Sequence, residues 1–173
     1  MSLASPKIAL NISYIGTPSP TTDDVLCKHG PAECLGNILE LCAASLYPDP
    51  KQYLGFTYCM SREYEHIPEA GLTRNCALES GMSFEDLNEC ASRDEGGWGM
   101  GLLRQSVEFS RSVGAGISCT VRVDGEERCI RDGGEWKSCE KGSKPEDLVR
   151  DIEKMWRERN GKGEGGEGEG DEM

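Results

Sequence analysis

No two cysteines in this 173-residue chain are separated by two residues, no cysteine precedes Cys27, and there are two histidines in all. A Cys-x-x-Cys redox pair is therefore absent, and so are the C-x2-C and H-x3-H knuckles that gather zinc ligands. Positive charge is also short: 19 Lys and Arg stand against 31 Asp and Glu, a net charge of −12. That balance argues against nucleic acid, whose affinity rests on cations neutralising phosphates. No apolar run approaches the roughly 18 residues of a membrane span. The first residues show no basic segment followed by an apolar one, so no secretory leader is read, and the chain is expected to be mature, cytosolic or shortened at its front. Gly96, Gly97 and Gly99 lack the lysine and the preceding strand of a phosphate loop. No internal repeat is visible.

What the chain does have is cysteine. Nine of them lie between positions 27 and 139, a scatter that suits several structural disulfides in an oxidising compartment, with one thiol left over because nine is odd. This signal outweighs the missing leader. The length suffices for one domain with a real core. Residues 161–173 are nearly all glycine and acid, with five carboxylates against Lys162. They read as a disordered, solvated tail and leave about −8 on the body.

Residues 7–15 alternate Ile8, Leu10, Ile12 and Tyr14 with smaller or more polar neighbours and predict a strand. Asn11-Ile12-Ser13 fits a glycosylation acceptor, read as unused in mid-strand. A loop follows over 16–24. Gly30-Pro31 opens a helix with the stripe Leu35, Ile38, Cys42 and Leu46. Asp49 caps a second, begun by Pro50 and running to about Arg62. Pro68 opens a third, with Leu72 and Cys76, that stops at Gly81. Ser83 caps a fourth, with Phe84, Leu87 and Cys90 or Ala91 inward. A fifth spans 98–113 with Leu102, Leu103, Val107 and Phe109. Residues 31–113 thus form a helical block.

The period then changes to two. Residues 117–123 and 126–131 flank Asp124-Gly125, a preferred two-residue turn, and predict a β-hairpin. Counting from the turn places Thr120 opposite Cys129 and Cys119 opposite Ile130, so that Cys119 and Cys129 face opposite ways. Cys129 and Cys139 flank the turn-rich residues 132–136 and are the preferred local disulfide. Ser143 and Glu146 form a capping box for a last helix with Leu148, Ile152, Met155 and Trp156 on its buried stripe. The order of strand, helical block, hairpin and helix is that of an α/β (α+β) chain.

The most chemical stretch is residues 27–42. Cys34 and Cys42 stand about 12 Å apart along one helix at 1.5 Å per residue, too far to bond each other, so each needs a partner elsewhere. Cys27, on the loop before the helix, can fold back or reach another element. Cys27, His29, Cys34 and Cys42 are competent zinc ligands at unsuitable spacing. His29 and His66 read as structural hydrogen-bonding residues, and Glu33 is explained by the helix dipole.

The same stretch fits C-[QK]-H-G-x2-E-C-x2-N-x4-C through Cys27, His29, Gly30, Glu33, Cys34, Asn37 and Cys42. It resembles the signature of the gamma-interferon-inducible lysosomal thiol reductase family, with Lys28 where animal members commonly have Gln. The resemblance continues through Cys59, Cys76 and Cys90 and covers roughly residues 7–159. Cys119, Cys129, Cys139 and residues 131–136 resemble the fungal branch. It implies a thioredoxin-like domain over 1–160 with a helical insertion (about 31–113), closed by a hairpin and last helix (about 117–159). It also implies reduction of protein disulfides without a cofactor, in a lysosome, vacuole or secreted space. All of Cys27, Cys34, Cys42, Cys59, Cys76, Cys90, Cys129 and Cys139 are disulfide candidates.

The chain departs from the family at two places. In the family the redox pair lies before the strand read at 7–15, and this sequence has no cysteines there. The family's cis-proline falls near Ser118-Cys119, where no proline stands. The expected form is thus a shortened reductase lacking its first strand, first helix and active-site pair, with its activity as it stands left open. No catalytic residue is identified. Cys119, at the cis-proline site, is the candidate reactive thiol, and a buried core cysteine is its plainer reading. The alternative function is a non-catalytic, disulfide-rich secreted or vacuolar binding or structural protein. Expected partners are disulfide-containing proteins, with no nucleic acid and no membrane span, and with the oligomeric state open.

Overall fold

The computed structural model describes residues 7–161. Among the described residues six α-helices and five short strands make an α+β architecture. Two compact units are present: Leu10–Ser118, and a second that comprises, of the described residues, 7–9 and 119–161. The expected tail lies outside the described residues except for Gly161, which caps the last helix.

The first unit is helical. Helix α1 (Pro31–Leu46) begins where Gly30 adopts φ 91°, a conformation in the left-handed half of the map that a Cβ would disfavour. Pro31 follows at the first helical position, where its missing N–H costs nothing. Helix α2 (Pro50–Arg62) is capped by Asp49, whose carboxylate accepts from the Lys51 amide at 2.9 Å. Helix α3 (Ala70–Glu79) starts two residues beyond Pro68, later than the sequence suggests. Helix α4 (Phe84–Ser92) is capped by Ser83, which accepts from the Asp86 amide at 3.1 Å. A tight turn at Arg93–Gly96 leads into α5 (Gly97–Ser112).

Helix α1 packs against α2, α4 and α5. Its buried residues are Cys34, Gly36, Ile38, Leu39, Glu40, Cys42 and Ala43, whereas Leu35 and Leu46 are exposed. The expected stripe is corrected accordingly: a helix with neighbours on several sides buries a wider arc than one face. Phe56, Met60, Leu87, Leu103 and Val107 complete the core, each fully buried and each worth roughly 1.5–3 kcal/mol in transfer terms. Phe109, expected inward, is exposed.

The predicted strand over 7–15 is not formed among the described residues. Residues 10–15 instead lie along α5 and bond to side chains: the Tyr14 amide donates to Ser106 Oγ at 2.8 Å, and Ser110 Oγ donates to Ser13 Oγ at 2.9 Å. A ladder needs a partner strand, and here helical hydroxyls take that place. The following loop is closed by two two-residue strands, β1 (Thr17–Pro18) and β2 (Val25–Leu26), paired antiparallel. Arg104 of α5 pins it by donating to the carbonyls of Ser19 and Thr22.

The second unit holds an antiparallel sheet of β3 (Thr120–Val123), β4 (Glu126–Asp132) and β5 (Glu135–Lys137), followed by α6 (Pro145–Asn160). The β3–β4 turn has Asp124 at φ 60° and Gly125 at φ 85°, the positive angles such a turn requires. The register departs from the expected one. Arg122 pairs with Glu127, but Val121 pairs with Cys129 and Thr120 with Ile130. Arg128 is the extra residue of a β-bulge. It places Cys119 opposite Arg131, with backbone hydrogen bonds of 2.7 and 2.8 Å between them, and removes the basis for setting Cys119 and Cys129 on opposite faces.

The cap of α6 is Lys144 and not Ser143. Pro145 occupies the first helical position, which keeps Lys144 extended (φ −84°, ψ 151°), and Asp147 rather than Glu146 reaches back to accept the Lys144 amide at 3.1 Å. That bond, with Arg150 beside it, holds the Asp147 carboxyl below its ordinary range. No residue of α6 is fully buried, so the expected buried stripe is half-covered and Trp156 is exposed.

Candidate functional site

The cysteines occupy five places. Cys27 bonds Cys34, closing the loop onto the first turn of α1 with Cα atoms 5.6 Å apart. Cys42 bonds Cys90 and joins α1 to α4. Cys59 bonds Cys76 and joins α2 to α3. In the second unit Cys129 of β4 bonds Cys139 beyond β5. Cys119 is a free thiol and is exposed. The reading of Cys119 as a buried core cysteine is therefore corrected: it sits just ahead of β3, where backbone bonds to Arg131 hold it but no layer covers it.

In the loop before α1 the motif residues bond to one another. The Gly30 amide donates back to the Cys27 carbonyl at 3.2 Å, turning the chain so that Cys27 meets Cys34. Glu33 Oε2 accepts from the His29 amide at 2.6 Å and lies 3.3 Å from His29 Nδ1. Cys, His, Gly and Glu thus cooperate in one tight turn. Asn37 is half-buried one turn further on. With Cys27, Cys34 and Cys42 all in disulfides, the candidate zinc set supplies no thiolate. Among the described residues no group of three or more His, Cys, Asp or Glu is placed to hold a metal ion.

Two hollows were not legible in the sequence. In the helical unit, Cys59 and Cys76 border a polar hollow of about 320 Å³ also lined by Glu63, His66, Glu69 and Glu79. His66 Nδ1 lies 3.1 Å from Glu69, whose hydrogen bond and charge raise the imidazole above its ordinary value. In the second unit, a largely apolar hollow of about 170 Å³ is lined by Val121, Cys129, Trp136, Pro145 and Leu148. At its edge the bulged Arg128 is nearly buried. Its guanidinium donates to Asp151 at 2.6 Å and to the carbonyls of Gly142 and Lys141 at 2.9 and 3.1 Å.

A third feature is Glu40 on α1, 7 % exposed, which accepts the hydroxyl of Tyr14. Burial pushes its carboxyl up to about 7, partly offset by the hydroxyls of Tyr14 and Thr57. Burial, and then the Glu40 charge, push the Tyr14 phenol well up. A glutamate within an otherwise apolar helical stripe was the available signal.

No described helix is long and apolar enough to cross a membrane, and the four disulfides fit an oxidising compartment. The comparison with curated proteins and that with solved structures each return no match. Residues 2–80 match the family model described as Gamma interferon inducible lysosomal thiol reductase (GILT), a match that includes the whole Cys27–Cys42 motif. That likeness to the GILT family, a family of thiol reductases, extends over residues 2–80, a little under half of the chain.

Proposed function

We propose that this chain is the disulfide-braced body of a thioredoxin-like thiol reductase acting on disulfide-containing proteins in a lysosomal, vacuolar or extracellular space. In this reading Cys119 is the thiol through which its 173 residues exchange with a substrate. The observation that carries the reading is the division of the cysteines: eight are tied in four disulfides and Cys119 alone is free and exposed. The Cys119 thiolate attacks a substrate disulfide, forming one sulfur–sulfur bond and releasing the other substrate sulfur as a thiolate. With no second thiol to resolve it, the reaction stops at the mixed disulfide. An added small thiol must complete it.

The second reading is a non-catalytic binding or structural module, favoured by the way Cys42–Cys90 and Cys59–Cys76 serve as braces between helices. Incubating the chain with a scrambled disulfide protein and resolving the products without reductant separates the two. The reductase reading expects a covalent one-to-one adduct that Cys119→Ser abolishes. No adduct, or an equal one with the serine variant, leaves the binding module.

A further inference from the structure

Residues 10–16 lie on the helical unit without joining a sheet ladder, and polar bonds to side chains fix them. Besides the Tyr14–Ser106 and Ser13–Ser110 bonds, the Leu10 carbonyl accepts from the Tyr53 hydroxyl at 3.2 Å. The remaining fixing is of another kind, because it ends on an acid. The Tyr14 hydroxyl donates to Glu40 Oε2, and Glu40 is buried on α1 with no cation paired to it among the described residues. Thr57 Oγ1 on α2 is buried beside them, unpartnered in the static geometry yet within reach of both groups. Two hydroxyls are a thin substitute for water around a carboxylate.

We propose that residues 10–16 form a strap latched by the Tyr14–Glu40 pair, held against the helices while Glu40 is protonated and loosened when it ionises.

The sign follows from burial. With the strap down, the Glu40 carboxyl rises from 4.5 to about 7, burial being the larger cause and the two hydroxyls opposing it. With the strap lifted, water reaches the carboxyl and its ordinary value returns. The closed form therefore binds more protons. The strap is fully held below pH 4.5 and loosens between 4.5 and about 7, and above that its closing equilibrium is weaker by about 300-fold. Of the groups around Glu40, Tyr14 titrates far above this range, α2 contributes the neutral Thr57, and the strap's anchors on α5 are the hydroxyls of Ser106 and Ser110. Helix α4, which also packs on α1, brings no charge that moves the carboxyl.

The test is amide hydrogen exchange by NMR on the full chain from pH 5 to 8, corrected for the intrinsic rise of exchange with pH. The Tyr14 amide, held by Ser106, should lose protection by about 100-fold across that range, while the Leu103 and Val107 amides of α5 keep theirs. Glu40→Gln, a neutral mimic of the acid, should flatten the Tyr14 profile. Should that variant not fold, the carbon-13 shift of the wild-type Glu40 carboxyl reads the same event directly, with a midpoint near 7. The proposal is overturned by a Tyr14 protection that does not change with pH, by a Gln variant with the wild-type profile, by α5 losing protection together with the strap, or by a Glu40 midpoint near 4.5.

Discussion

Arg128 and Asp151 join the bulge in β4 to the middle of α6 through a nearly buried ion pair, Nε to Oδ2 at 2.6 Å, with side chains 7 % and 16 % exposed. The guanidinium's two terminal nitrogens each donate as well, to the Gly142 and Lys141 carbonyls. Removing one partner of such a pair leaves an uncompensated buried charge. Asp151→Ala should cost about 3–5 kcal/mol in the second unit, whereas Arg128→Met with Asp151→Leu should cost less than the single change. Exchange of the Arg131 amide measures both. An Asp151→Ala protein with wild-type protection would show that water, not Asp151, serves Arg128.

Cys42 and Cys90 close a loop with a sequence separation of 48 across two helices, and both are essentially fully buried. Loop-closure entropy for that length corresponds to about 4 kcal/mol. The double change Cys42→Ala, Cys90→Ala should lower the urea midpoint of the helical unit accordingly, and by more than loss of Cys27–Cys34, whose sequence separation is 7.

Gly99 marks where α5 meets α1 and α4 most closely. A Cβ there would stand 2.7 Å from Ile38 Cγ2 and 2.8 Å from the Ala91 carbonyl oxygen, and the latter is backbone that cannot swing aside. Gly99→Ala should destabilise by about 1–3 kcal/mol through overpacking. Gly101→Ala, two residues on with nothing within 4 Å of its Cβ, should stabilise by up to about 1 kcal/mol through helix propensity. Thermal unfolding of the pair reads opposite signs, and equal signs would refute the packing argument.

The sequence made the helices legible because their signals are local. Pro31 and Pro50 at first positions, with Asp49 and Ser83 as caps, act within one turn and need no knowledge of neighbours. What it did not reveal depends on partners far along the chain. Residues 10–15 alternate like a strand, yet a strand exists only with a ladder, and the bonds went to Ser106 and Ser110. The bulge at Arg128 answers to Asp151 and to the carbonyls of residues 141 and 142, none of which period-two counting can see. The turn at Gly133-Gly134 carries a short third strand whose three residues are all exposed, so no apolar alternation announced it. At the candidate site the spacing excluded a bond between Cys34 and Cys42, but it left the partner of each open. Cys119 was misread as buried because the general tendency of free cysteine to lie in the core does not guarantee a covering layer.

The measurement that bears most directly on the division between braces and thiol is a redox titration of the folded chain, with alkylation and mass spectrometry counting free thiols at each potential. Across the range of disulfide redox enzymes, about −120 to −270 mV, one alkyl group is expected throughout, on Cys119, with all four disulfides intact until below about −300 mV. Three alkyl groups anywhere within that window would mean that one of the four braces is itself a redox-active pair, contradicting the account.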